Sequence, residues 1–168
     1  PVPVEPVFRF PIDGALQAQL LDGSVLAGKV CGKARVDGTV ISLADGGKVT
    51  LPYHDRLSVR HRLTVDVRVC IDELKQMPVV LACGNYAKNG WFLQAFNRRW
   101  RWHLAGTDCD GGKVEVGKWT RIVATYDKAR ARLYQDGELV ADVACPARLA
   151  EYRGPLIIGQ YTSPNSPY

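Results

Sequence analysis

The stretch GKWTRIVATYDKARARLYQDGELV, running from Gly117 to Val140, decides the fold class. Trp119–Tyr126 and Arg130–Gln135 are short, rich in aromatic and β-branched residues, and separated only by Asp127–Ala129, so they read as a hairpin. Asp136-Gly137 is a strong turn dipeptide and leads into a third strand at Glu138–Val143. Within the hairpin Ile122, Ala124, Ala131 and Leu133 alternate with Arg121, Arg132 and Tyr134. A period of two puts the first set in a core and the second on the opposite face of its sheet.

The same alternation continues outward. Leu63–Ile71 sets Leu63, Val65, Val67 and Val69 against Thr64, Asp66, Arg68 and Cys70. Val49–Leu51 precedes a turn at Pro52–Asp55, and Val79–Cys83 is a short apolar strand. Trp91–Ala105 reads as another hairpin. In it Trp91, Leu93 and Ala95 alternate with Phe92, Gln94 and Phe96, Asn97–Arg99 turns, and Trp100, Trp102 and Leu104 alternate with Arg101 and His103. Leu156–Gly159 is the last clear strand, and helix signals are confined to single turns at Asp72–Gln76 and Pro146–Tyr152. About ten short strands joined by tight links predict an all-β chain, a two-sheet antiparallel β-sandwich.

At 168 residues, 46% hydrophobic and 23% charged, the chain is sized for one domain with a proper core. No apolar run approaches the ~20 residues of a membrane span. The formal charge of +5 favours anionic partners. Its basic residues are scattered through strand-like segments without a nucleic-acid-binding motif, so no nucleic acid is expected as a partner. The five cysteines, Cys31, Cys70, Cys83, Cys109 and Cys145, form no C-x-x-C pair, which excludes zinc and thioredoxin-type readings. One disulfide, Cys109 with Cys145 or Cys70 with Cys83, would suit an oxidising compartment, and five buried free thiols are the alternative.

Gly117–Val140 resembles the signature of laminin-G-like domains in the concanavalin A-like lectin (jelly-roll) superfamily, with Trp119 opening a strand, Ala124 in mid-strand, and Tyr134 before Asp136-Gly137. Upstream, RVDGTVISLADGGKVTLPYHDRLSVRHRLTVDVRV (Arg35–Val69) resembles the earlier half of such domains, and GPLIIG (Gly154–Gly159) a later strand. The resemblance implies a concanavalin A-like jelly roll over residues 1–168 as a single domain. It also implies a closing strand beyond Tyr168, so the chain reads as truncated before it. Arg68 stands where the resembling strand usually carries Trp.

Catalytic patterns are not found. A glucanase on this fold needs a spaced carboxylate cluster, and Asp72-Glu73 and Asp108/Asp110 lack that spacing. Arg101, His103, Gln94 and Tyr134 supply a lyase-like set of residue types only superficially, and no nucleophile motif or phosphate loop appears. The chain is therefore expected not to be an enzyme, while its parent protein could degrade glycans. The segment DCDGGK (Asp108–Lys113) reads as a turn that could hold calcium, which such domains often bind, with Asp13, Asp108 or Asp110 contributing.

Binding is the stronger expectation. The residues alternate to the core include Arg68, Phe92, Gln94, Arg101, His103, Arg121, Arg132 and Tyr134, mixing aromatic rings that stack on sugars with cations that hold carboxylate or sulfate. Tyr86 and Trp91 flank an Asn89-Gly90 loop and are expected to form a loop-mounted sugar platform, whereas Trp100, Trp102 and Trp119 are expected in the core. The expected function is a non-catalytic, lectin-like carbohydrate-binding module of a larger secreted, extracellular or periplasmic protein, selecting an acidic or sulfated glycan. The alternative is a structural domain docking a neighbouring domain of its own polypeptide or a receptor.

Overall fold

The computed structural model describes residues 8–12, 15–58, 60–74, 77–86, 89–146 and 148–162. Three sheets are formed. A small N-terminal one has the order β1 (Phe8–Arg9), β2 (Gln17–Leu20), β3 (Val25–Ala27). The remaining strands are β4 (Lys29–Asp37), β5 (Val40–Leu51), β6 (Leu63–Val69), β7 (Val79–Cys83), β8 (Trp91–Phe96), β9 (Arg99–Leu104), β10 (Thr107–Gly111), β11 (Thr120–Tyr126), β12 (Arg130–Gln135), β13 (Glu138–Ala144) and β14 (Leu156–Ile158). They make a seven-stranded sheet, β10-β9-β8-β7-β14-β5-β4, and a four-stranded sheet, β13-β12-β11-β6, with antiparallel pairing throughout.

The two larger sheets close on one core. Trp91, Leu93, Trp100, Trp102 and Cys109 from one meet Ile122, Ala124, Ala131 and Leu133 from the other, all buried. Val65 is buried with them, and Val67 and Val69 lie half-buried against the same cluster. Two polar contacts cross the gap: Trp102 Nε1 donates to the Thr125 carbonyl at 3.2 Å, and the Cys109 thiol lies 3.4 Å from the Ala131 carbonyl. Gly111 is required where β10 meets β13, because a Cβ there would stand 2.4 Å from the Val140 carbonyl oxygen. The small sheet joins the core through Ala18 and is tied to the sandwich by Gly28 N–H on the Leu16 carbonyl and by Arg56 on Asp22.

The β-sandwich is the expected fold class, with several local differences. The described residues of 72–76 and 146–152 form no helix, and one 3-10 turn lies instead at Asp55–Leu57. Strands β1 to β4 and β10 were not expected, although Gln17–Leu20 and Thr107–Asp110 do alternate in the sequence. All five cysteines are free thiols, so neither suggested disulfide is present. Trp119 is 48% exposed, against its expected core position. It precedes buried Thr120, and the inward set of β11 begins there.

Candidate functional site

The register of β7 to β10 lays two rows of side chains across the outer face of the seven-stranded sheet. One row is Ala82, Phe92, His103, Asp108, and the next is Val79, Gln94, Arg101, Asp110. Pleating forces this arrangement: Trp91, Leu93, Trp100, Trp102 and Cys109 enter the core, so their sequence neighbours must face outward.

These outward groups satisfy one another. Arg101 grips Asp110 with two parallel hydrogen bonds, Nε to Oδ1 at 2.8 Å and Nη2 to Oδ2 at 2.6 Å, and its Nη1 reaches Asp108 Oδ2 at 3.1 Å. The guanidinium also lies over the Phe96 ring, 3.9 Å from its centre. Asp110, then burial acting against it, then Asp108, set the balance that raises the Arg101 pKa. His103 Nδ1 lies 2.6 Å from Asp108 Oδ1, and its Nε2 accepts the Gly106 N–H at 3.1 Å. An accepting Nε2 assigns the proton to Nδ1, which donates to Asp108. Burial pushes the His103 pKa below its ordinary value, more than the Asp108 carboxylate restores it.

Aromatic rings roof this network. Phe92 stacks on His103 at 4.3 Å, and Tyr86, from the β7–β8 loop, stacks on His103 at 4.6 Å. Tyr161 meets Phe92 edge-on at 4.9 Å and hydrogen-bonds the Gln94 side-chain oxygen, and burial pushes its phenol up to about 12. Thr162 anchors the Tyr161 segment on the Gly84 carbonyl at 2.6 Å. Tyr86 itself stays 64% exposed. The outcome is a flat ring in solvent, fixed from below, with Asp108, Asp110 and the edge of Arg101 beside it, each partly accessible.

The candidate residues thus fall on two opposite faces. Phe92, Gln94, Arg101 and His103 share the Tyr86 face, but Phe92, Gln94 and His103 are buried, so they support a ligand platform rather than form its surface. Trp91 is not loop-mounted; it is a buried β8 residue tilted against Trp102 at 5.6 Å. Arg68, Arg121, Arg132 and Tyr134 lie on the outer face of the four-stranded sheet. There Arg121 pairs bidentately with Asp66, and Arg132 with Asp127 and Asp142.

The calcium set is not assembled. Asp13 lies outside the described residues, and Asp108 and Asp110 are both turned to Arg101. Among the described residues no group of three or more carboxylate, histidine or cysteine side chains could hold a metal ion. Asp108 and Asp110 alone, both held by Arg101, do not supply the six or more oxygens that a calcium ion takes. The same two carboxylates face one guanidinium rather than opposite sides of a cleft, which is not the acid and nucleophile arrangement of a glycosidase. Because the charge of Arg101 is matched by two carboxylates and His103 is held toward neutrality, these two residues do not make the Tyr86 face basic, contrary to expectation.

The sequence places Asp108 and Asp110 in a turn and gives no expectation for Tyr161. The pattern Thr107-Asp108-Cys109-Asp110 does alternate, and that was the available signal for an outward carboxylate pair. No signal linked Tyr161 to the sheet, since its partner Gln94 is remote in sequence.

A family model described as the concanavalin A-like lectin/glucanases superfamily matches residues 43–168. No curated protein matches the chain. Among solved structures, the botulinum neurotoxin serotype D binding domain superposes with a TM-score of 0.72 at 12% identity, covering 91% of this chain and 42% of that one. The binding domain of botulinum neurotoxin DC in complex with SialylT gives 0.62 at 11%, covering 84% and 40%. Mouse laminin alpha1 chain domains LG4-5 give 0.51 at 17%, covering 63% and 30%. The chain spans less than half the length of each of these, and at such identities the likeness is one of fold.

Proposed function

The chain belongs to the concanavalin A-like lectin/glucanase superfamily, and from that premise we propose that it is a non-catalytic carbohydrate-binding module of a larger secreted or cell-surface protein. The observation that carries this reading is Tyr86, an exposed ring braced by His103 and Phe92 with Arg101, Asp108 and Asp110 at its rim. A pyranose presents an apolar C–H face to such a ring and hydroxyls to its edge, where paired carboxylates and a guanidinium offer both acceptors and donors. Bracing matters because a ring already held in place loses little freedom when a ligand docks. The charge balance of this face suits an uncharged sugar. The structural neighbours being binding domains, one of them in complex with SialylT, is in keeping with this reading.

The test is affinity electrophoresis of the domain through gels containing neutral polysaccharides, with and without EDTA. The expected result is retardation that survives EDTA and 0.5 M salt (roughly three times physiological) and is lost in Tyr86→Ala. Retention of full binding by Tyr86→Ala overturns the platform. Failure of every polysaccharide to retard the wild type favours the docking alternative.

A further inference from the structure

The opposite sheet carries a second feature, independent of Tyr86. Three of the four tryptophans are buried, and Trp119 alone is left 48% exposed. An indole half in water offers a flat apolar face on which a ligand ring can stack. Its direction follows from the strand it opens: Thr120 and Ile122 are buried and Arg121 is exposed, so Trp119 and Arg121 stand on the outer face. Thr120 pairs with Val69 and Arg121 with Arg68, which sets Arg68 directly across from Arg121; carried one residue beyond Thr120, the same register sets Trp119 opposite Cys70, two residues along β6 from Arg68.

Two guanidiniums opposite each other on neighbouring strands disfavour folding. Arg121 is relieved by its bidentate bond to Asp66, and nearby Lys118 by Glu115. Arg68 has no ion pair among the described residues. An exposed flat ring therefore sits beside an uncompensated cation, on β6, the edge strand of its sheet, where a ligand can approach from the side.

We propose that Trp119, Arg68 and Arg121 form a separate binding site for a sugar ring bearing a carboxylate or sulfate. Same-face neighbours along a strand are about 6–7 Å apart, so an anionic substituent on a ring stacked over Trp119 reaches Arg68 and the free edge of Arg121. A protein partner is the weaker fit, because a single indole offers far less area than the roughly 800 Å² per side of a specific protein interface. The selectivity for acidic glycans is thus assigned to this sheet, and the Tyr86 face is left to uncharged sugars.

The four-stranded-sheet site has its own spectroscopic reporter, since Trp119 is the exposed indole. Wild type, Trp119→Phe, Arg68→Gln and Tyr86→Ala are titrated with dextran sulfate oligosaccharides, polygalacturonate oligosaccharides, uncharged dextran and poly-glutamate. Iodide quenching and urea midpoints are read alongside. The expected result is that at least one anionic oligosaccharide shields the wild-type fluorescence from iodide while uncharged dextran does not. Arg68→Gln then weakens it about tenfold and flattens its salt dependence. Trp119→Phe abolishes the shielding signal at an unchanged urea midpoint, and Tyr86→Ala binds the anion like wild type. Equal affinity in wild type and Arg68→Gln, or no shielding by either anionic sugar, overturns the site. Poly-glutamate binding as tightly as the sugars overturns the glycan assignment in favour of an acidic protein surface. Loss of anion binding in Tyr86→Ala would place both ligands on the other face.

Discussion

Replacing Gly111 by alanine tests whether β10 and β13 close the sandwich as described. The added Cβ would lie 2.4 Å from the Val140 carbonyl oxygen, 2.8 Å from the Val140 carbonyl carbon and 2.7 Å from the Ala141 Cβ, where contacts under 3.0 Å are essentially never seen. Two of these three contacts are backbone, so no rotamer change relieves them; β10 must move away from β13, or β13 must bend. Overpacking of this kind costs about 1–3 kcal/mol, and rigid backbone on the other side points to the upper part of that range. With a urea m-value of about 2 kcal/mol/M, the midpoint should fall by roughly 1 M. Gly117→Ala is the matched control: its φ is +76° but nothing lies within 4 Å of an added Cβ, so it carries only the left-handed backbone cost of about 1–2 kcal/mol. Ala141→Gly added to Gly111→Ala removes one of the three contacts and should recover only a small part of the loss. Urea unfolding followed by tryptophan fluorescence reads all three. If Gly111→Ala unfolds at the wild-type midpoint, the close approach of the two strands is wrong.

His103 and the cysteines offer two further tests. Because the folded pKa of His103 lies below the ordinary 6.5, the unfolded chain takes up a proton more readily than the folded one as pH falls below that value. Stability should therefore be fully present above about pH 6.5 and decline below it, as protonation of Nε2 also breaks the Gly106 N–H bond; His103→Gln should lack this decline between pH 6.5 and 5, and an equal slope in both proteins would refute the role. Cys31 and Cys70 are partly accessible, whereas Cys83, Cys109 and Cys145 are buried, with burial pushing the Cys83 and Cys109 thiols up to about 12 and about 11. A thiol reagent at pH 8 should titrate no more than two groups in the folded protein and five in urea; fast reaction of a third in the native state would contradict the packing.

The central strands were legible because their alternation is strict and their turns carry Asp-Gly or Asn-Arg pairs, as in Arg130–Val143 and Trp91–Leu104. Lys29–Asp37 was not, because KVCGKARVD sits on a sheet edge with mostly exposed side chains and needs no continuous apolar face. Alternation also told which face His103 and Gln94 take, but not that they are buried there. Their cover comes from the Tyr86 loop and from Tyr161, and periodicity along one strand holds no information about what another segment lays over it. Trp119 failed in the opposite sense: the resemblance put the strand-opening indole in the core, while only the register of the residues after it, Thr120 with Val69 and Arg121 with Arg68, reveals its outward side. The site was therefore half readable, in its residue types and their parity, and unreadable in its accessibility and charge pairing.

Strand β14 has three residues, yet among the described residues it is the strand that joins β7 to β5 in the seven-stranded sheet. Leu156 pairs with both Cys83 and Leu51, so this seam waits on residues made long after either neighbour. During synthesis the β4–β5 hairpin and the β7–β10 meander can each form locally, but each must present a bare edge until the late segment arrives. Either bare edge can template pairing with an edge of another nascent chain. Folding speed and yield should thus hinge on how quickly Leu156–Ile158 inserts, and a lesion there would be felt first as aggregation during expression and only secondarily as lost stability of the finished domain.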